Sequence, residues 1–478
     1  GGEGQKLLRT AQREMAYPIA VTIARRGSIT GDQWYKASRT VYGPDDPTVK
    51  DRLLLILAIG CALMGSALLL LPTLIRALPG RYAYYLPEPL QALRHRPHPD
   101  TLPTPDFTVA RTVPPLPYPT PMPTLTFTPS PMPSPLPTPT PSPTPSPTPS
   151  PTPTPPPRFI LTRFRHEYQR WNNCGPATLA MGLSYFGRPE TQREIASVLR
   201  PDPEDKNVSP EEMAGYVHSL GLGARVAVGG TLERLKRLVR AGFPVIVETW
   251  YVRDARDQLG HYRLIIGYDD AMGTFITQDS LDGPSLHVRY DQLDELWRVF
   301  NRVYLVLYHP LREGEVLAIL GEDGDETRML ERALATAYEE IAAPPSTCVA
   351  YARCEDWVTF GWFNVGTNLN ALGRFEDAAA AYDHARRLGL HHRMLWYQFG
   401  PYEAYYATGR YEDVIALANA TLATASNLEE SYYWRGMARL AQGDIKGARR
   451  DFEKALRYHP GWSPAQDGLA KVEEMEKR

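Results

Sequence analysis

The chain has 478 residues, 43% of them hydrophobic and 22% charged, with a formal net charge of −2 at pH 7. That length leaves room for two or three domains, and a charge so near zero offers no electrostatic footprint for a nucleic-acid partner. Four cysteines, at 61, 174, 348 and 354, are too few for a disulfide scaffold.

Residues 53–75 run without a charge between Asp51-Arg52 and Arg76. A stretch of ~20 apolar residues crosses a bilayer, so one transmembrane helix is expected here. The run is longer than a signal-peptide core and starts far from the N-terminus. Lys36, Arg39, Lys50 and Arg52 precede it; Arg76, Arg81 and Arg94 follow. That bias places residues 1–52 inside the cell. Residues 76–157 form a Pro/Thr/Ser-rich stalk, and 101–157 alone hold 24 of the 46 prolines with only Asp106 and Arg111 charged. Such a run cannot bury a core and is expected as extended polyproline II. At ~3.1 Å per residue it would reach on the order of 170 Å. An anchor followed by a stalk suits domains held off an outer cell surface; a plain cytoplasmic spacer is the competing reading.

Residues 158–310 turn globular. A helix is expected over 174–186, with Asn172 and Asn173 as caps, Pro176 in its first turn, Leu179, Leu183 and Phe186 on its buried face, and Gly187 at its end. A second helix falls at 189–200. Ser209-Pro-Glu-Glu212 is a capping box opening a third, which stops near Gly221. Ala224–Val228 reads as a strand, and Thr231 caps a helix that ends at Gly242. Strands follow at Val245–Tyr251, Tyr262–Tyr268, Phe275–Gln278, Leu286–Tyr290 and Val303–Tyr308, interrupted by a helix at 291–299. Helices first and strands second predict an α+β domain with the cysteine helix against an antiparallel sheet.

Cys174 stands where that helix begins, and unsatisfied N–H groups at a helix start favour a thiolate. His261 opens a strand, and Asp279 lies on the next one. Neighbouring strands can pair the two, leaving the imidazole to exchange a proton with the thiol. Asp269, Asp270 and Asp282 are alternative acids. Gln169 could donate, with the Cys174 N–H, to the oxyanion of a tetrahedral intermediate. Trp171 is expected to pack beside the cleft. The spacing of Cys174, His261 and Asp279 does not suit a metal, and no cofactor is implied.

Gln169-x4-Cys174-Gly-Pro-Ala, then Gly260-His261 followed by Gly267-Tyr-Asp, then Asp279, resembles a papain-like cysteine peptidase. The resemblance is nearest the group related to double-glycine leader peptidases of bacteriocin exporters, in the variants without a transporter. It implies Cys174 as nucleophile, His261 as base, Asp279 as orienting acid and Gln169 as oxyanion donor, with a peptide or protein as substrate. Two departures stand out. Gln169 precedes Cys174 by five residues where papain uses six, and Ser280 follows the acid where relatives often have Pro. No Gly-x4-Gly-Lys-Ser/Thr loop occurs, so a role in export does not carry over.

Residues 325–478 repeat themselves. Gly373-Arg-Phe-Glu-Asp, Gly409-Arg-Tyr-Glu-Asp and Gly443-Asp-Ile-Lys-Gly recur at spacings of 36 and 34 residues. With small and large positions such as Trp362, Gly366, Ala378 and Tyr382, or Tyr432, Gly436, Ala448 and Phe452, they resemble tetratricopeptide repeats at about 359–392, 395–428 and 429–462. A helix at 325–342 would precede them and one at 464–477 would close an all-α solenoid. Its expected use is holding a protein partner. Tyr402, Tyr405 and Tyr406 are either packing or a groove lining. Cys348 and Cys354 are either a small-loop disulfide or two buried thiols. Together these features predict a single-pass membrane-anchored cysteine peptidase with repeats, its C-terminal domains outside the cell. The alternative is an inactive or transpeptidase/amidase-like papain fold in a surface scaffold.

Overall fold

The computed structural model describes residues 70–71, 73–75, 78, 82, 86, 90, 100–105, 155–253, 257–351 and 353–477. Two compact units divide the chain, residues 1–96 and 97–478. Of the first, residues 70–71 and 73–75 are helical. The expected membrane span at 53–75 and the stalk at 76–157 lie mainly outside the described residues. Among those that are described, no helix is long and apolar enough to cross a membrane.

In the second unit β1 (Arg158–Ile160) leads through an extended segment to α1 (Cys174–Ser184). Then come α2 (Gln192–Leu199), α3 (Pro210–Ser219), β2 (Gly223–Ala227), α4 (Leu232–Arg240), β3 (Val245–Val252), β4 (Gln258–Asp269), β5 (Thr274–Asp279), β6 (Gly283–Arg289), α5 (Tyr290–Arg298) and β7 (Tyr304–Tyr308). The strands form one antiparallel sheet in the order β2-β7-β3-β4-β5-β6, with β1 added to β4. Apolar and β-branched runs such as Val245-Ile-Val247 suit β3, which is buried on both faces. Helix α1 lies on the sheet, with Leu179 and Leu183 fully buried in the core cluster that also holds Ile246, Leu264 and Leu307. The approach is close at Gly182, where a Cβ would stand 2.6 Å from Leu307 Cδ1. Ser209 accepts from Glu212 N at 3.2 Å and its own N–H donates to the Glu212 carboxylate at 2.7 Å, the expected capping box.

The α+β order is the expected one, with boundaries moved. Strand β4 begins at Gln258, so His261 is inside it rather than at its start. The cause is the hairpin: β3 continues past Trp250 and pairs Val252 with Gln258. Strand β1 and the helix α6 (Glu313–Leu320) have no counterpart in the expectations. Both are too short for a period to declare itself.

The rest is helical. Helix α7 (Glu326–Ala342) precedes the pairs α8 (Asp356–Ala371) with α9 (Phe375–Arg387), α10 (Gly400–Ala407) with α11 (Tyr411–Thr424), and α12 (Glu429–Ala441) with α13 (Ile445–Tyr458); α14 (Ser463–Glu476) closes the array. The second pair is the irregular one. Its first helix spans only Gly400–Ala407, and a 3₁₀ turn, His392–Trp396, occupies the preceding residues. Pro401 lacks an N–H and stands at the head of α10, so an earlier start would place it inside the helix. Tyr402 and Tyr405 are fully buried. Their hydroxyls donate to Thr421 Oγ1 at 3.0 Å and Asp383 Oδ1 at 2.7 Å, so both are core rather than groove. Cys348 and Cys354 are disulfide-bonded. Within that loop Val349, Ala350 and Tyr351 donate their N–H groups to the Glu295 carboxylate of α5 at 2.7, 2.9 and 2.7 Å.

Candidate active site

The segment before Cys174 is fixed from the side. Gln192, at the start of α2, accepts from the Arg170 N–H and the Asn173 side chain, each at 2.8 Å, and donates to the Tyr168 carbonyl at 2.8 Å. Buried Arg200 donates to the Trp171 carbonyl at 3.0 Å and to Asn173 Oδ1 at 3.2 Å. Asn173 holds the N-cap position of α1, yet its side chain makes no capping bond because Gln192 and Arg200 engage it. The opening N–H groups of α1 therefore stay free of a side-chain cap, beside Cys174. Asn172 is in the left-handed region (φ 51°) and turns the chain into the helix. Trp171 borders this loop, its indole donating to Glu204 at 3.4 Å.

The sheet supplies the histidine and the acid. His261 on β4 is wholly buried, and its Nε2 lies 2.8 Å from Asp279 Oδ1 at the end of β5. Asp279 also accepts from Arg263 Nε at 2.8 Å and from the N–H groups of Leu281 at 2.8 Å and Asp282 at 3.1 Å. Arg263 bonds Thr249 as well. Side chains alternate along a strand, so His261 and Arg263 share one face of β4 and reach the same carboxylate. Asp279 is thus the acid at His261. Asp269 pairs with Arg158 and Asp270 with Lys236, while Asp282 accepts from the Tyr251 hydroxyl.

Burial would raise the Asp279 carboxyl, but the bond from His261 and the His261 and Arg263 charges hold it below the usual carboxylate range. Burial lowers His261, against the pull of Asp279. With Nε2 committed to Asp279, Nδ1 is the nitrogen left over; it is buried and has no hydrogen-bond partner. The thiol and the imidazole are therefore not hydrogen-bonded to each other. Cys174 instead sits by the backbone of Tyr262, the residue after His261. Burial pushes its thiol up to about 11; the Tyr262 and Gly175 N–H groups oppose the rise, and the Glu248 carboxyl adds to it. The helix-start field is present, as the sequence predicts, and burial outweighs it. Glu248, on β3 opposite Tyr262, is itself raised well above its ordinary value by burial.

Gln169 lies across from β5. Its N–H donates to the Ser280 carbonyl at 2.8 Å, and the Ser280 hydroxyl donates to its Oε1 at 2.8 Å. With the oxygen taken, the amide N–H₂ is the end left to donate. Ser280 thus orients the glutamine. Among the described residues no group of three or more His, Cys, Asp or Glu side chains could hold a metal ion.

Residues 161–309 match the model of the Peptidase_C39 like family. This C39-like region contains Gln169, Cys174, His261 and Asp279, and residues 429–462 match the tetratricopeptide repeat. Among solved structures a C39-like peptidase from Bacillus anthracis is similar, at 18% identity and TM-score 0.27, over 31% of this chain and 96% of that one. No curated protein matches the chain.

Sequence reasoning did not find Arg263, Gln192, Arg200 or Glu248. A signal existed only for Arg263, which stands two positions after His261 and so on its strand face.

Proposed function

We propose that the C39-like domain is a cysteine peptidase in which Cys174, His261, Asp279 and Gln169 act together. The observation that carries this is the His261 ring, bonded to Asp279 through Nε2, with Nδ1 unpartnered and the thiol beside the next residue's N–H. When a peptide carbonyl binds, the Cys174 sulfur attacks its carbon and the thiol proton passes to His261 Nδ1. Asp279 stabilises the imidazolium through Nε2. The oxyanion accepts from the Cys174 N–H and the Gln169 amide. Collapse of the intermediate breaks the C–N bond, and His261 returns its proton to the leaving amine. Water, giving a proton to His261, then attacks the thioester, releasing the acid and the thiol. An amine in place of water would give transpeptidation.

In this reading the domain is a freestanding relative of the double-glycine leader peptidases, anchored by the span at 53–75 with residues 158–478 outside the cell. The repeats hold a protein partner. The second reading is non-catalytic: the papain-like domain is a binding relic in a surface scaffold. Labelling of the full chain with iodoacetamide at neutral pH separates the two. Fast alkylation of Cys174 that is lost in His261→Ala supports catalysis, and equal labelling in both forms refutes it. Protease shaving of intact cells tests the topology: survival of residues 158–478 overturns the outside assignment.

A further inference from the structure

The surroundings of Cys174 and His261 are bordered by the helical region as well as by the C39-like domain. The turn His392–Trp396, with Tyr397 after it, leans on the site at three points. Arg393 donates to Asp257 Oδ1 at 2.8 Å and to the Gln258 carbonyl at 2.7 Å, at the start of the strand that carries His261. Trp396 shares the Lys206 ammonium with Trp171, at 5.9 and 5.0 Å from the two ring centres, and Trp171 belongs to the loop that leads into Cys174.

The third point is Tyr397. Its ring lies against Gly260, immediately before His261. A Cβ on Gly260 would come within 3.1 Å of Tyr397 Cε1 and Cζ, and 3.0 Å of Phe300 Cζ. Tyr397 meets Phe300 edge to face at 6.0 Å, and Phe300 is buried. Residue 260 therefore has no room for a side chain because the rings of Phe300 and, from the repeats, Tyr397 fill the space. Tyr397 itself keeps some surface exposed. Burial raises its hydroxyl; Arg393 opposes, and a charge on Cys174 would act in the same direction as burial.

The turn is also braced from behind by a segment distant in sequence. Leu102 is buried among the repeat helices, and its N–H donates to the Leu390 carbonyl at 2.9 Å. The His392 N–H donates to the Asp100 carbonyl at 3.1 Å, and Arg386 Nε to the Pro103 carbonyl at 2.9 Å. Residues 100–103 thus hold the backbone of the turn before Tyr397, and Phe300 packs on the Tyr397 ring.

We propose that Tyr397, supplied by the helical repeats, is a specificity-determining residue of the cysteine site: its ring is the wall beyond Gly260 that limits the size of the group reaching Cys174. Peptides with a short side chain against this wall are accepted, and those with a branched or aromatic one are turned away. The repeats are then part of the peptidase cleft, not only a docking module. The proposal rests on Cys174 as the reacting group, and its test works whether or not a peptide bond is cut.

The experiment uses the full chain without reductant, so that Cys348 and Cys354 stay paired. Cys174 is alkylated with iodoacetamide and with the bulkier N-phenyl iodoacetamide, and the Cys174 peptide is quantified by mass spectrometry. The wild type reacts faster with the small reagent. Tyr397→Ala raises the bulky-to-small rate ratio by about tenfold, the size of effect expected when a pocket gains several carbons of room. Tyr397→Phe leaves the ratio unchanged, and Tyr397→Trp lowers it. An unchanged ratio in both the Ala and Trp variants, or an equal acceleration of both reagents in a folded Ala variant, overturns the wall. Should the Ala variant unfold, the Trp variant alone decides. A chain that selects reagents by size yet cleaves no peptide in a library would sink the peptidase reading and leave this one standing.

Discussion

Asp279 has two side-chain partners, and the structure says which one the fold depends on. Arg263 Nε lies 2.8 Å from Asp279 Oδ2, with side-chain exposures of 8% and 1%. At that distance and an effective dielectric of ~20, the gross attraction is about 6 kcal/mol. Desolvation cancels much of it, but removing one partner strands the other charge in the interior, at a cost of about 3–5 kcal/mol. Asp279→Asn keeps an oxygen for His261 and removes the counter-charge of Arg263. We expect that variant to lose about 3–5 kcal/mol, a fall in melting temperature of roughly 6–20 °C for a domain of this size. Arg263→Met should suffer comparably. The double variant leaves no stranded charge, so its loss should fall short of the sum by at least about 2 kcal/mol. Thermal melts of the three variants and the wild type at pH 6.5 measure the cycle. At that pH Asp279 is fully ionised in both states: its folded pKa lies below the ordinary value, so its contribution is present above ~3.9 and is lost only as pH falls through the folded value. Losses that add within about 0.5 kcal/mol would refute the coupling and make Asp279 a partner of His261 alone.

Three further outcomes follow from the same geometry. Glu248→Gln removes a carboxylate that opposes ionisation of the thiol, so the midpoint of the pH–alkylation curve of Cys174 should move down from about 11; a midpoint that stays put or rises contradicts the placement. Ser280→Ala frees the Gln169 amide to rotate, and the loss of one hydrogen bond of ~1 kcal/mol should lower kcat several-fold with KM little changed, while Ser280→Thr restores it; an equal loss in both variants would show that the hydroxyl does not act through Gln169. At the contact between residues 200–212 and α12, burial raises Asp205, Glu212 and Glu430, and the bond to Glu429 raises His459, with Arg200 the cation facing Asp205. Asp205, Glu212, Glu430 and His459 each bind a proton more tightly when folded, so their stabilisation is present at acidic pH and lost as pH rises through the folded values. The gain in melting temperature from Glu430→Gln should therefore grow as pH rises from 5 to 8; a gain that does not change with pH refutes the assignment.

What the sequence disclosed, and what it kept back, divides along chain distance. Ser209 with Glu212, Pro210 at the head of α3 and Gly187 past α1 act within one turn, so helix ends could be read directly. Cys174, His261, Asp279 and Gln169 stood out because each residue type carries a chemistry and their order is shared by a peptidase family. The supporting residues carry no such mark. Arg263 acquires meaning only from register, which sets it opposite Asp279. Gln192 looks like an ordinary polar residue at a helix start until α2 folds back on the loop before Cys174. The irregular second repeat is the telling case. Pro401 departs from the repeat pattern, and a departure read by itself is merely a weak repeat. In the structure it delays α10, and the residues released form the turn His392–Trp396 that grips the start of β4, 136 residues away in sequence at Arg393–Asp257. The irregularity belongs to the repeat in sequence and to the cleft in space. A helix continued backwards through residues 392–397 would take the Arg393 and Tyr397 backbones out of the turn from which they reach Asp257 and Gly260. The strongest deviation from the repeat thus lies where the helical region borders the cysteine site.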